Sequence, residues 1–288
     1  MRATTGSTEG MVRLDGGFFL MGNESPDIFP YDGEGPVRRV RVDPFYASRF
    51  AVTNEQFDEF VRRTGYVSDA ERFGWSLVFQ NHLAPEERGV AVPGTPWWLR
   101  VEGATWAHPE GPDSGIHNRL HYPVVQVSWN DARRYCEWAG VRLPTEAEWE
   151  YASRGGLEQK KFPWGDELTP GGRHMCNVWQ GRFPDIDLAE DGYAAPAPVN
   201  AFQPNGFGLY NTVGNTWEWC SDYFDAEWRR AATTENPVGP PEGTMRVLKG
   251  GSYLCHESYC YRYRNAARTS NTPDSGTTHM SFRVVRDL

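Results

Sequence analysis

No apolar stretch in the 288-residue sequence approaches the roughly 18 residues of a membrane span, so no membrane partner is expected. The apolar run Gly17-Phe18-Phe19-Leu20-Met21 is too short for a signal-peptide core and has the wrong flanks, so no export signal is expected. No block of like charge occurs, and the net charge of −9 repels phosphate backbones, which argues against a nucleic-acid partner. Heptads, a Gly-x-y period and longer repeats are missing, which excludes coiled coil, collagen and solenoid. The sequence also lacks G-x-S-x-G, Walker A, dinucleotide-binding and H-E-x-x-H motifs. Cysteine is sparse. Its five copies, Cys136, Cys176, Cys220, Cys255 and Cys260, are an odd number, which argues against a fully paired disulfide framework. A reducing compartment, the cytoplasm, is the expected location.

Glycine and proline are plentiful instead, at 30 and 21 copies, and aromatics make up 14% of the chain. The first pair forbids many long helices. The aromatics supply apolar surface that disordered chains lack. Length alone suggests two domains, but no linker divides the chain. The expectation is one irregular α+β domain over residues 11–288 with few short helices and strands, preceded by a loose tail over residues 1–10.

Three helix starts are legible. Thr53-Asn54-Glu55-Gln56 is a capping box followed by apolar Phe57, Phe60 and Val61 and stopped near Gly65. Ser128-Trp129-Asn130-Asp131 opens a second helix ending at Gly140, and Thr145-Glu146-Ala147-Glu148 a third ending at Gly155-Gly156. Apolar stretches at Phe50-Ala51-Val52 and Pro123–Val127 precede the first two and suggest strands. Period-two alternation predicts further strands at Arg39–Val42 and Arg246–Lys249. Residues 157–216 are dense in Gly, Pro, Asn and Asp with almost no periodicity. Loops that long inside a domain are usually functional or pinned, and bound metal is one candidate for the pin.

The most unusual segment is Gly250-Gly251-Ser252-Tyr253-Leu254-Cys255-His256-Glu257-Ser258-Tyr259-Cys260. Thiols five apart point to opposite faces of a strand and sit about 140° apart on a helix, so their convergence needs a bend. Gly250-Gly251 and His256-Glu257-Ser258 provide places for one. If the sulfurs meet, three chemistries compete: a structural disulfide or unrelated buried thiols, a redox disulfide, or a two-thiolate site selecting a soft ion such as Cu(I). Zinc fits less well, because no third and fourth ligand stands nearby. Separately, Asn211 and Glu218, and Asn177 and Asp191, place hard oxygen donors beside Gly-containing turns, a pattern that suits Ca²⁺ but is also ordinary turn chemistry. His117 and His121 have i,i+4 spacing, but Gly115 and Pro123 discourage a helix there and no further ligand completes a site.

Taken together, five segments resemble the formylglycine-generating enzyme (sulfatase-modifying factor) family. They are Ser128–Ala132, Arg142–Glu150, Asn177–Gly181, Asn205–Trp219 and Gly250–Tyr253. The set Cys255–Cys260, Arg262-Tyr263-Arg264, Ala266-Ala267-Arg268 and Asn271–Ser275 is similar to its catalytically active, bacterial-type members. The resemblance runs from about residue 10 to the C-terminus. It implies a fold related to C-type-lectin-like folds and a monomer. The implied activity is oxidation of a cysteine within Cys-x-Pro-x-Arg of an unfolded sulfatase to Cα-formylglycine, with O₂ and an external reductant. A non-catalytic ligand-binding module on the same fold is the alternative.

The resemblance also implies site residues. Cys255 and Cys260 hold Cu(I), Ser252 and Tyr259 flank the oxygen pocket, Trp217 walls it, and Arg268 supports it. Trp75 and Ser76 match a stretch of the substrate groove. One Ca²⁺ is implied at the side chains of Asn177 and Asp191 with the carbonyls of Val178 and Tyr193. A second is implied at Asn211 and Glu218 with the carbonyls of Gly214 and Thr216. Ser153, Asn265 and Val284 stand where eukaryotic members carry cysteines, leaving Cys136 unpaired. The family's Asn-Leu-Gly-Phe-Arg reads His279-Met280-Ser281-Phe282-Arg283 here; His279 either hydrogen-bonds in the pocket as Asn would or competes for copper, and Ser281 adds a side chain near the site. A sulfoxide-synthase reading is rejected, because His117-x3-His121 runs into Tyr122-Pro123 instead of x-Glu.

Overall fold

The α-helices are short and each is fixed at both ends by its own sequence. In the computed structural model, which describes residues 8–84, 86, 89–228 and 232–288, they are α1 (Asn54–Thr64), α2 (Asp69–Phe73), α3 (Trp129–Ala139) and α4 (Glu146–Arg154). Thr53, Ser68, Ser128 and Thr145 accept the first free N–H groups as reciprocal capping boxes. The left-handed glycines Gly65, Gly74, Gly140 and Gly155 end them. The expected helices at 53–65, 128–140 and 145–155 are therefore present. Helix α2 is an addition: Ser68-x-x-Glu71 is a capping box, but five residues are too few to show a helical period. Asp131 ties α2 to α3, accepting from the Asp69 N–H at 3.0 Å, the Tyr66 hydroxyl at 2.8 Å and the Ser128 N–H at 2.9 Å.

The strands are β1 (Met11–Leu14), β2 (Gly17–Met21), β3 (Arg38–Val42), β4 (Phe45–Ser48), β5 (Trp75–Phe79), β6 (Val90–Val92) and β7 (Thr95–Glu102). They continue with β8 (Gly181–Arg182), β9 (Ile186–Asp187), β10 (Trp217–Tyr223), β11 (Arg246–Lys249), β12 (Arg268–Asn271), β13 (Met280–Ser281) and β14 (Val285–Asp287). Among the described residues they form five small sheets, of which β12-β11-β10-β13 and β5-β7-β6 matter most for the site. The expected strands at 39–42 and 246–249 form. Those at 50–52 and 123–127 do not; a single antiparallel bridge, Thr53 to Pro123, joins the two stretches. Pro123 lacks a ladder donor and Gln126 has φ of 61°, so the second stretch cannot run as a regular strand. Of the expected tail, residues 1–7 lie outside the described residues, and β1 begins at Met11.

Aromatic rings dominate the largest core cluster. Phe57 lies within 6.5 Å, centroid to centroid, of Phe60, Trp106, Tyr135 and Phe282, linking α1, α3 and the C-terminal segment. The long loop region 157–216 is pinned by side-chain amides. Asn205 accepts from the N–H groups of Phe207 and Leu209 at 3.0 and 3.1 Å and donates to Ala152 O at 2.8 Å. Asn215 both accepts from Ala197 N–H at 2.7 Å and donates to Ala197 O at 3.2 Å. These bonds satisfy backbone groups that no sheet reaches. Where the resemblance marks missing cysteines, Ser153 donates to Asn265 Oδ1 at 2.8 Å, so a hydrogen bond joins those two positions.

Candidate active site

The cysteine segment leaves β11 through Gly250 and Gly251, whose φ values are 92° and 72°. A Cβ at Gly250 would stand 2.8 Å from Thr212 O, and one at Gly251 2.9 Å from Tyr263 Cα, so the chain can turn inward here only without side chains. The next bend lies at His256, whose carbonyl accepts from the N–H groups of Tyr259 and Cys260 at 3.0 and 2.7 Å. That turn reverses the chain and brings the two thiols together. Cys255 Sγ and Cys260 Sγ lie 2.7 Å apart, both buried and both free.

Their surroundings make the pair unequal. Burial raises Cys255 well above the ordinary thiol range, and the hydrogen bond and charge of Cys260 raise it further. Burial acts on Cys260 in the same direction, but the Cys255 thiol and the Arg262 guanidinium favour its thiolate, and the net shift is downward. Asp32 fixes that guanidinium, accepting from Arg262 Nε at 2.5 Å and Nη2 at 3.1 Å. The surroundings therefore favour the proton on Cys255 over Cys260.

A cleft of about 310 Å³ opens above the sulfurs. Ser252, Trp217, Tyr259 and His279 line it together with both cysteines, so the structure gathers these six expected residues at one place. Ser252 Oγ is 3.9 Å from Cys255 Sγ. Tyr259 stacks on Phe183 with ring centroids 4.4 Å apart and meets Trp97 edge-on at 5.0 Å. Burial and then the nearby cysteines push its hydroxyl up to about 12, so it stays protonated at neutral pH. The His279 ring lies 4.6 Å from that of Trp98, its Nδ1 meets Thr277 Oγ1, and burial lowers its pKa to about 3. A neutral imidazole held by a hydroxyl is thus what the cleft contains. Ser281 is fully buried outside the lining.

Other expected residues sit elsewhere. Arg268 is buried in a bidentate pair with Glu146 at 2.8 and 3.0 Å and donates to Asp225 O at 3.0 Å, so it braces the framework beneath β12 without lining the cleft. Ser76 is buried, donating to Gln126 Oε1 at 2.6 Å, and Trp75 packs against Arg100 at 4.5 Å; neither lines the cleft. Sequence reasoning gave no role to Arg262, Asp32, Trp97, Trp98 or Phe183. The Arg262 signal was its place two residues after Cys260; the others lie far away in the chain.

The donor chemistry can be tested against the implied ions. The cleft floor offers two buried sulfurs, and no carboxylate lines the cleft among the described residues, a donor set suited to a soft ion. At the first implied Ca²⁺ position, Asn177 Oδ1 is buried without a hydrogen bond, while Asp191 accepts from the N–H groups of Val178 and Tyr193 at 3.0 and 2.9 Å. Gln180 Nε2 reaches Val178 O and also Asp191 Oδ2, so a partial positive charge already sits among these oxygens. At the second, Asn211 Oδ1 is likewise buried and unpartnered. Glu218 there accepts from Arg283 at 2.8 Å through both oxygens and from Trp149 Nε1 at 2.7 Å. Each position therefore holds an orphaned amide oxygen, and oxygen donors of this kind fit Ca²⁺.

A family model described as the sulfatase-modifying factor enzyme 1-like domain matches residues 1–288. The chain is 61% identical to the formylglycine-generating enzyme of Thermomonospora curvata, covering 97% of this chain and 94% of that protein. It is 48% identical to a Bos taurus protein named inactive C-alpha-formylglycine-generating enzyme 2, covering 97% and 89%. Among solved structures, PvdO from Pseudomonas aeruginosa superposes with a TM-score of 0.70 at 26% identity, covering 96% of this chain and 94% of that one.

Proposed function

The chain belongs to the sulfatase-modifying factor (formylglycine-generating enzyme) family, and from that premise we propose that it converts a cysteine of an unfolded sulfatase, within Cys-x-Pro-x-Arg, to Cα-formylglycine. The observation that carries this reading is the pair of free, buried thiols 2.7 Å apart on the floor of an open cleft. Family membership is not enough by itself, because relatives of comparable coverage include one named inactive. A binding module has no need of two reactive sulfurs at the foot of its groove.

The redox balance closes with O₂ and an external reductant. The substrate's thiol carbon gives up two electrons and the reductant two more, while O₂ takes all four. Sulfur leaves as H₂S, replaced by an oxygen from water, and both atoms of O₂ end as water. Cys255 and Cys260 would hold Cu(I), which when bound supplies the one-electron activation of O₂ that thiols and aromatic rings lack.

The remaining tasks fall to the chain. Arg262, held by Asp32, favours the thiolate form of Cys260, the form that ligates a metal. Ser252, 3.9 Å from Cys255 Sγ, offers a hydroxyl to the reacting side of that sulfur. Trp217 and Tyr259 give the cleft aromatic walls. His279, neutral and tied to Thr277, orients through hydrogen bonding and packing. Two structural Ca²⁺ ions at Asn177/Val178/Asp191/Tyr193 and Asn211/Gly214/Thr216/Glu218 would complete the pinning of the long loops.

The deciding experiment supplies the reduced, Cu(I)-loaded protein with a Cys-x-Pro-x-Arg peptide, O₂ and a reductant, and scores aldehyde by mass spectrometry. Aldehyde formation that disappears in Cys255→Ser supports the reading. Loaded protein that yields no aldehyde rejects the oxidase reading and leaves the non-catalytic binding module.

A further inference from the structure

We propose that the external reductant's electrons reach the cysteine pair through an aromatic relay, entering at Tyr261 and Trp164 and passing through Tyr263, an inference that rests on the cysteine-modifying reading above. That reading needs two electrons from outside while the substrate fills the cleft that holds Cys255 and Cys260. The oxidisable rings of Trp97, Trp98, Trp217 and Tyr259 all line that cleft, so a bound polypeptide covers them along with the sulfurs. The reductant then needs a route through the protein.

Tyr263 stands at the inner end of such a route. It is buried in the same core cluster as both cysteines, and its backbone lies against Gly251 at the turn that leads into them. Burial raises the pKa of its hydroxyl, and charge on Tyr261 and Cys255 raises it further, so both groups lie within electrostatic reach. Two lines of rings run outward from it. Tyr261 meets it edge-on with centroids 5.3 Å apart. Phe162 lies 6.2 Å from it at an interplanar angle of 12°, and Trp164 lies 5.3 Å from Phe162 at 10°. Tyr261 and Trp164 are only partly buried, so both lines reach solvent, and neither passes through a residue that lines the cleft. Phenol and indole rings are among the most easily oxidised side chains, and electrons tunnel between rings in contact faster than enzymes turn over. Phe162 is not oxidised and serves as a bridge. A phenol that yields an electron also releases its proton, and both are restored when the next electron and a proton arrive. Two passages therefore deliver the two electrons that the balance requires and leave the rings unchanged.

Drawing electrons outward tests the path, because a relay conducts in both directions. The reduced, metal-free protein is exposed without oxygen to ruthenium(III) tris-bipyridyl generated by flash and quench, a one-electron oxidant too bulky for the cleft. Each ruthenium(III) takes one electron and becomes ruthenium(II). Two such steps turn the Cys255 and Cys260 thiols into a disulfide and release two protons. The disulfide is scored by mass spectrometry after alkylation. Tyr259→Phe serves as the background, so that the exposed phenol at the cleft offers no shortcut. In it, Tyr263→Phe, which keeps the ring and removes only the oxidisable hydroxyl, should lose most of the photochemical disulfide. Tyr261→Phe combined with Trp164→Phe should do the same, and keeps the test open if Tyr263→Phe disturbs the fold. Hydrogen peroxide, small enough to enter the cleft, should form the disulfide equally in all of them, which shows that fold and thiols are intact. Photochemical disulfide undiminished in these variants, or absent before they are made, would overturn the proposal. During conversion of the Cys-x-Pro-x-Arg peptide, Tyr263→Phe should slow turnover at low reductant and approach the parent rate at high reductant. Equal rates at every reductant concentration would likewise overturn it. The photochemical result does not depend on conversion, so a working relay in a protein that makes no aldehyde rejects the cysteine-modifying reading alone.

Discussion

Asp32 and Arg262, 230 positions apart in the sequence, meet in an ion pair with Nε–Oδ2 at 2.5 Å, and the guanidinium so held stands beside Cys260. Two residues on, Arg264 grips Glu34 at 2.6 and 2.7 Å. The segment 32–34 is thus strapped beneath the cysteine loop by alternate arginines, and the electrostatics of the site depend on a stretch of chain from the other end of the protein.

The thiolate character of Cys260 should follow that guanidinium. In Arg262→Met, Cys260 loses its cationic neighbour while its burial remains, so thiolate absorbance should develop at higher pH than in the parent protein. The difference spectrum against Cys260→Ser isolates this thiol, and Asp32→Asn should shift it less. An unchanged titration in Arg262→Met would remove Arg262 from the account.

The Arg264–Glu34 pair is structural, with both side chains buried. Glu34→Gln should destabilise the protein by about 3–5 kcal/mol in urea unfolding, because it leaves a buried guanidinium without its counter-charge. Replacing both partners, as Glu34→Leu with Arg264→Met, should restore much of that loss. A double variant no better than the single one would show that geometry, not charge, dominates the pair.

Acid stability should depend on His82. Burial lowers its pKa from 6.5 to about 4, and its Nε2 lies 3.0 Å from the Tyr253 hydroxyl. Between those values the unfolded chain binds a proton that the folded one refuses, so this group's contribution is full above pH 6.5 and declines toward pH 4. His279, lowered to about 3, acts in the same sense. Asp131 and Asp222, raised by burial to about 6, act in the opposite sense, since the folded state holds their protons more tightly. The total curve is a sum, so the informative quantity is the melting-temperature difference between the parent and His82→Gln. It should narrow as pH falls from 6.5 to 4. A constant difference would mean that His82 titrates normally.

How much of this was visible in the sequence depended on range. Helix ends were legible because Thr53/Gln56, Ser128/Asp131 and Thr145/Glu148 are local devices, each complete within four residues. Cys255 and Cys260 could be paired on paper, but only the turn at His256 shows how they meet. The apolar stretches 50–52 and 123–127 misled because β propensity outweighed Pro123 and the left-handed Gln126. Asp32, Trp97 and Phe183 gave no signal, since what makes them part of the site is proximity across the fold. Trp75 and Ser76 were drawn to the site by resemblance; Ser76 is buried and hydrogen-bonded to Gln126, while its neighbour Leu77 lines the cleft.

Two of the three orphaned amide oxygens, those at the implied Ca²⁺ positions, permit a test of calcium that is independent of catalysis. Asn177 Oδ1 and Asn211 Oδ1 are buried acceptors without donors, a condition that costs roughly 1–3 kcal/mol each unless an ion or water satisfies them. An ion that binds only the folded state adds stability by mass action, about 2.7 kcal/mol at a hundredfold excess over its dissociation constant. Chelation with EGTA should therefore lower the melting temperature, and added Ca²⁺ should restore it where Mg²⁺ does not, because Mg²⁺ resists dehydration into a carbonyl-rich cage. Asn177→Ala and Asn211→Ala should each remove part of that response, and together nearly all of it. Loss of the chelator effect in Asn211→Ala alone would assign the ion to the Glu218 position, even though Arg283 already neutralises that carboxylate. A melting temperature indifferent to EGTA would mean that the amides of Asn205 and Asn215 pin the loops without metal.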